Sequence, residues 1–174
     1  MERIEKVIDL ICDSLPGGKN IVDIYAGCGS ISCFLADKYE TTTLVEHNRD
    51  ALVFAEKNMN EKPHVSYGLS GEKWIQNCVQ YCPDFDACVV DPPRSGIEKV
   101  VLDYLCKSNI PYIRSLSCDP STHARDCKKF IEAGYKTCDI NEKPDIVIVN
   151  TCTVTNIADR KSRQAIRKIK QENK

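Results

Sequence analysis

Four short runs in this sequence carry residue types able to act on a ligand, and each follows an apolar stretch. The first is Asp23-Ile24-Tyr25-Ala26-Gly27-Cys28-Gly29-Ser30. Its glycines let a backbone approach a ligand closely, and a helix opening after them offers unpaired N–H groups. Without the later glycine of a dinucleotide fingerprint, the pattern alone also suits a plain turn. The second is Glu46, 17 residues beyond Gly29, where a carboxylate can accept both hydroxyls of a ribose or simply face water. A nucleoside ligand explains why both stand at the ends of successive apolar runs. In the third, Asp91-Pro92-Pro93-Arg94-Ser95-Gly96, two prolines stiffen the loop and hold Asp91 and its carbonyl in one geometry.

The fourth is Ser117-Cys118-Asp119-Pro120-Ser121-Thr122-His123-Ala124-Arg125-Asp126. Asp119 reads as a helix N-cap with Pro120 at the first helical position. Cys118 therefore stands just before a helix N-terminus with an arginine near in sequence. Both features favour a thiolate, and Asp119 opposes it. The alternative for Cys118 is a core thiol like its neighbours. The chain has eleven cysteines, an odd count, mostly inside apolar runs. That usage fits small core hydrophobes in a reducing cytosol better than a disulfide scaffold. Zinc is not expected, because Cys78 and Cys82 lack a second pair at ligand spacing and His47, His64 and His123 are isolated.

These runs need a frame that brings strand ends together. Helical spacing over residues 3–14 is stopped by Pro16-Gly17-Gly18. Strands are expected at Ile21–Tyr25, Thr42–Val45, Val65–Tyr67, Ala87–Val90, Tyr112–Leu116, Tyr135–Ile140 and Asp145–Val149. Between them lie a helix to about Lys38, Asp50–Met59, a helix containing Trp74 and Ile75, Ile97–Cys106 and Pro120–Ala133; a basic helix begins at about Ile157. Strands alternating with helices imply a doubly wound, mostly parallel sheet, with ligands at the carboxyl ends of strands.

Composition sets the outer bounds. At 174 residues, 42% hydrophobic and 28% charged, the chain can bury an ordinary core, which excludes disordered and low-complexity classes. No apolar run reaches the ~18 residues of a membrane span, and Met1–Lys6 mixes charge with apolar residues, unlike an export signal. A cytoplasmic protein without membrane contact is expected. Charge is uneven: residues 159–174 hold seven Lys/Arg against two acids, leaving 17 basic and 23 acidic residues in 1–158. A body at −6 is a poor phosphate binder by itself, so contact with a polyanion would fall to the tail, a local patch or a further domain.

The glycine loop with Glu46 resembles the class I S-adenosylmethionine methyltransferases. The runs at Asp91–Gly96 and Ser117–Asp126 together closely resemble the RNA uracil-5-methyltransferase family, from residue 1 to about 135. This resemblance implies a Rossmann-like seven-stranded α/β domain over residues 1–150, S-adenosylmethionine as cofactor, and rRNA or tRNA as partner. It also implies Cys118 as nucleophile and cofactor contacts at Tyr25, Ser30, Glu46 and Asp91, beside Gly27 and Gly29 of the loop. A cysteine is needed because uracil C5 is too weak a nucleophile to attack a methyl sulfonium; a thiolate added at C6 turns the ring into an enolate that can. Three features depart from the family. Its RNA-binding module is absent, Gly68-Leu69-Ser70-Gly71-Glu72 lacks the usual Asp (Glu72 being a substitute), and no His-Val-Glu segment supplies the C5 base. An enzyme so built would stall as a covalent RNA adduct.

Lys143–Thr155 and Ala158–Gln164 instead resemble the N-terminal domain of radical S-adenosylmethionine methylthiotransferases. That likeness implies a [4Fe–4S] ligand at Cys152, in a set this chain cannot complete. A closing strand followed by a solvated basic helix, with residues 151–174 as a tail, is the alternative reading. The two resemblances meet near Ala133-Gly134-Tyr135. A catalytically incomplete module that binds cofactor, RNA or a partial cluster is therefore the second functional expectation.

Overall fold

The computed structural model describes residues 2–136 and 146–150, with side chains from 6 to 136. In chain order the elements are α1 (Glu2–Asp13), β1 (Gly18–Ile24), α2 (Ser32–Leu35), β2 (Tyr39–Val45), α3 (Arg49–Met59) and β3 (His64–Tyr67). They continue with α4 (Gly71–Asn77), β4 (Ala87–Val90), α5 (Lys99–Lys107), β5 (Tyr112–Ser117), α6 (Pro120–Glu132) and β6 (Ile146–Asn150). The six strands form one sheet in the order β3-β2-β1-β4-β5-β6, and every pairing is parallel. Strand order reverses between β1 and β4, so a crevice opens beyond their carboxyl ends.

Helices cover both faces, which is why β4 reads as the unbroken apolar run Ala87-Cys88-Val89-Val90. Val22, Ile24, Val90 and Ile113 pack with Trp74 of α4, Val101 and Leu105 of α5 and Phe130 of α6. On the opposite face Ile21, Ala87, Val89 and Leu116 meet Ile11 of α1 and Leu35 of α2. The sheet continues through β5 to β6, with Ser117 abreast of Asn150. The expected closing strand at Asp145–Val149 is thus present, one residue later. Among the described residues there are six strands where seven were expected. Tyr135 does not open a strand: its N–H returns to the Phe130 carbonyl, and its hydroxyl donates to the carbonyls of Leu105 and Ile110 at 3.2 Å each. Residues 137–140, the tail 151–174 and the expected basic helix lie outside the described residues.

Two boundaries moved for identifiable reasons. α2 stops at Leu35 because Asp37 and Lys38 donate back three residues, in the tighter 3₁₀ pattern. α5 starts at Lys99, not Ile97, because Glu98 is extended at ψ 139° and caps the helix, its carbonyl accepting the Leu102 N–H, while the Ile97 and Glu98 N–H groups go to Asp126 and the Tyr25 hydroxyl.

Two cations fasten the end of α1. Lys38 Nζ donates to the carbonyls of Cys12 and Leu15 at 2.5 Å each. Arg114, 1% exposed in β5, donates from Nε to Ser14 Oγ at 2.8 Å and from Nη2 to the Ser14 carbonyl. Helix-end carbonyls thus take up part of the buried positive charge. Arg114→Met is expected to cost about 2 kcal/mol, since it leaves those acceptors without their charged donor. Chemical denaturation followed by emission of Trp74, the only tryptophan and fully buried, measures this. An unchanged midpoint would show that the clamp is dispensable.

Candidate active site

The β1–α2 loop opens on strain. Tyr25 is not glycine yet has φ 68°, held there because its N–H and that of Ala26 both donate to the Val45 carbonyl, at 2.9 and 3.2 Å. Gly27 and Gly29 follow at φ 56° and 72°, in the left-handed region. A Cβ on Gly29 would stand 3.1 Å from that of Ala55, whereas one on Gly27 would meet nothing within 4 Å. The loop is therefore packed at Gly29 and open at Gly27.

Glu46, 7% exposed just beyond β2, reaches across to this loop. Its Oε2 accepts the Gly27 N–H at 2.9 Å, and its Oε1 accepts the Asn48 N–H at 2.7 Å with His47 Nδ1 at 3.1 Å. Ser30 lies at the far end of the loop, its hydroxyl 3.1 Å from Cys28 Sγ. Tyr25, Gly27, Gly29, Ser30 and Glu46 are thus brought together. Asp91 joins the same edge because β4 pairs with β1, Val90 opposite Ile24. Its carboxyl touches solvent but is crowded by protein, and that desolvation raises its pKa.

Asp23 is the member the sequence reading passed over. It is 1% exposed, accepts from Ser32 Oγ at 2.5 Å through Oδ2, and has no partner at Oδ1. Burial pushes its pKa up to about 7; the Ser32 bond works against this, and the nearby charges of Asp91 and Glu46 add to it. Its signal was available: an acid in the apolar strand Ile21-Val22-Asp23-Ile24, directly before the glycine loop. Three carboxyl groups therefore converge at the point where strand order reverses.

Cys118 is half-buried between β5 and α6, one strand over from Asp91. The Ser117 hydroxyl bridges it, donating to the Asp119 carbonyl at 3.0 Å and accepting the Asp119 N–H at 3.2 Å. Asp119 caps α6 as expected: Oδ1 accepts the N–H groups of Ser121 and Thr122 at 2.9 Å each, which lowers the carboxyl's pKa. Glu72 turns to its own helix, accepting from Gln76 at 3.1 Å, while its N–H goes to Glu98. Cys152 lies outside the described residues.

The methyltransferase small domain family matches residues 2–107, and uncharacterized protein family UPF0004 matches residues 112–174. The second match begins at β5, earlier than the join expected near residue 133, and it takes in Cys118. An uncharacterized RNA methyltransferase of Treponema denticola is 35% identical over 152 residues, covering 78% of this chain and 37% of that protein. Another, from Bacillus cereus, is 36% identical over 131 residues, covering 71% and 27% respectively. The chain thus spans roughly a third of these curated relatives.

Among solved structures, the Pyrococcus abyssi tRNA (uracil-54, C5)-methyltransferase in complex with S-adenosyl-L-homocysteine superposes with a TM-score of 0.61 at 27% identity. The match covers 71% of this chain and 30% of that one. Precorrin-6y C5,15-methyltransferase of Geobacter metallireducens gives the same TM-score at 16% identity, a likeness of fold alone, covering 75% of this chain and 70% of that one. Among the described residues no helix is long and apolar enough to cross a membrane. With one family match running from α1 to the end of α5, more than half of its length, the chain belongs to the methyltransferase small domain family.

Proposed function

We propose that residues 1–150 form an S-adenosylmethionine-dependent RNA methyltransferase domain that acts at C5 of uridine in rRNA or tRNA through Cys118, in the cytoplasm. The observation that carries this reading is the direct contact of Glu46 with Gly27 at the crevice, with Asp91 on the adjoining strand. The residues suit the cofactor. Glu46 retains acceptor capacity toward a ribose, open space lies beside Gly27, and the orphan Oδ1 of Asp23 with Asp91 gives a negative potential matched to a cationic ligand. Bound there, S-adenosylmethionine supplies an electrophilic methyl group.

The remaining chemistry belongs to the chain. Cys118 as thiolate adds to C6 of the uracil, and the displaced π electrons make C5 nucleophilic toward the methyl carbon. Removal of the C5 proton returns the electron pair to the C5–C6 bond and expels Cys118. Cys118 stays bonded to C6 until that proton leaves, so the adduct is the species to detect. Titration with S-adenosylhomocysteine in a calorimeter, followed by incubation with S-adenosylmethionine and uridine RNA, tests both parts. Binding together with an RNA mass on the Cys118 peptide is expected. Failure of the folded chain to bind overturns the cofactor site, and an adduct elsewhere overturns the assignment of Cys118.

A second reading is favoured by the match at residues 112–174. Here β5 and β6 are parallel neighbours whose carboxyl ends precede Cys118 and Cys152, and the chain would be a partial [4Fe–4S] module with its remaining ligands supplied by a partner. As-purified protein with a brown absorbance near about 400 nm favours it, and colourless protein that binds S-adenosylhomocysteine favours the methyltransferase reading.

A further inference from the structure

The loop Arg94–Glu98, between β4 and α5, is bonded to each neighbouring strand end. Thr122 Oγ1 shares its proton between the Asp119 carbonyl at 3.2 Å and the Arg94 carbonyl at 3.3 Å, and Arg125 Nη2 donates to the Ser95 carbonyl at 3.2 Å. The Ile97 N–H donates to Asp126 Oδ2 at 2.9 Å. The Glu98 N–H donates to the Tyr25 hydroxyl at 3.1 Å, and the Glu98 carboxylate accepts the Glu72 N–H at 3.1 Å. Asp126 is 2% exposed, and its second oxygen takes Arg125 Nε at 2.8 Å and Nη2 at 2.7 Å. A buried carboxylate is thus met by three donors, two of them charged.

Gly96 is what lets these groups approach. It has φ +83°, and a Cβ there would run into Arg125 Nη2 and stand 2.8 Å from Asp126 Oδ2 and 3.1 Å from Thr122 Cβ. At its far end α6 is pinned by Phe130, buried and edge-on to Tyr135 at 5.7 Å. At the near end the buried His123 adds no bond from Nε2, which has no partner. Polar contacts from Thr122, Arg125 and Asp126 therefore do the anchoring where apolar packing is thin.

We infer that Thr122, Arg125 and Asp126 are positioning residues, a latch that sets the first turn of α6, and Cys118 ahead of it, against the Asp91-Pro92-Pro93 loop. The inference rests on the reading of Cys118 as nucleophile. Three of the ten residues of the run Ser117–Asp126 then act by holding two loops in register and touch no substrate. A guanidinium bonding Asp126 and the Ser95 carbonyl together has no equivalent in a lysine, so Arg125→Lys should recover little.

The test uses Asp126→Asn, Arg125→Lys and Gly96→Ala, the last of which forces the latch apart while keeping its polar groups. Three readouts are taken: S-adenosylhomocysteine affinity, adduct formation with 5-fluorouridine RNA, and iodoacetamide labelling of each cysteine by mass spectrometry. Exposed Cys28 serves as reagent control and fully buried Cys88 as control for the fold. Adduct formation is expected to fall about a hundredfold. Cys118 labelling should quicken several-fold while Cys88 stays protected and cofactor affinity holds. Unchanged adduct formation and labelling in all three variants overturns the latch. So does Cys88 becoming reactive in step with Cys118, since that is general loosening. Should the parent chain form no adduct, the nucleophile reading fails by itself, and the ratio of Cys118 to Cys88 labelling decides the latch.

Discussion

Glu46→Ala is expected to weaken S-adenosylhomocysteine binding by more than about a hundredfold, with the fold retained. Two losses add. The substitution removes the acceptors proposed for the ribose hydroxyls, each bond to a charged group contributing about 1.5–3 kcal/mol. It also frees the Gly27 N–H and the Asn48 N–H, which Glu46 holds at 2.9 and 2.7 Å. The loop carrying Tyr25 at φ 68° then loses one of its ties and must be ordered by the ligand. Glu46→Gln keeps one acceptor in place and should lose only about tenfold, the worth of roughly 1.4 kcal/mol. Calorimetry on the parent and both variants decides it. Equal affinity in parent and Glu46→Ala would remove the ribose from this end of β2.

The second large effect concerns Asp23 and pH. Burial holds its carboxyl at about 7, well above the ordinary 3.8 of an aspartate. Between those values the folded chain binds a proton that the unfolded chain has released, so stability falls as pH rises from about 4 to 7. The loss is on the order of 4 kcal/mol. Raised Asp91 acts in the same direction, whereas Glu56, lowered by the nearby Ser66 hydroxyl and its bond to His64, acts in the opposite one. A difference curve between parent and Asp23→Asn isolates the one group. The variant is expected to be more stable than the parent at pH 8 and equal to it near pH 4. A variant less stable at pH 8 would mean that the carboxylate finds stabilising partners when charged.

Under the proposed cofactor site, the same group links stability to binding. A buried carboxylate with an orphan oxygen costs the apo protein stability, and a cation placed beside it recovers part of that loss. S-adenosylmethionine carries a sulfonium charge that S-adenosylhomocysteine lacks. Affinity for the former should therefore rise more steeply through pH 7 than affinity for the latter. Parallel titrations at pH 6 and pH 8 read this directly, and equal slopes would separate Asp23 from the sulfonium.

Much of the frame could be read in advance, because local signals and tertiary structure agree. Asp119 and Pro120 open α6 as their types require, the apolar run Ala87–Val90 is β4 residue for residue, and helical spacing marks α1 and α3. Where local signals failed, long-range bonds had fixed the backbone at the element's end. Ile97 and Glu98 have helical pattern, but Glu98 is extended at ψ 139° and both N–H groups are tied across the fold, to Asp126 and Tyr25. β1 begins at Gly18, three residues before its apolar run, because Asp86 accepts the Lys19 and Asn20 N–H groups at 2.7 and 2.9 Å and β2 pairs with that polar start.

By itself the sequence determined which loops could carry chemistry: Gly27, Gly29, Glu46, Asp91 and Cys118 all follow apolar runs, and a parallel sheet places every such end on one edge. Tertiary structure alone decided how those ends are tied together. That Glu46 holds Gly27, that Asp126 holds Ile97, and that Asp23 is buried with an unmatched oxygen depend on contacts between residues 19, 29 and 9 positions apart in the chain. No periodicity records such pairs. Their energies come from desolvation and from donors supplied by other strands, and these exist only once the sheet has formed.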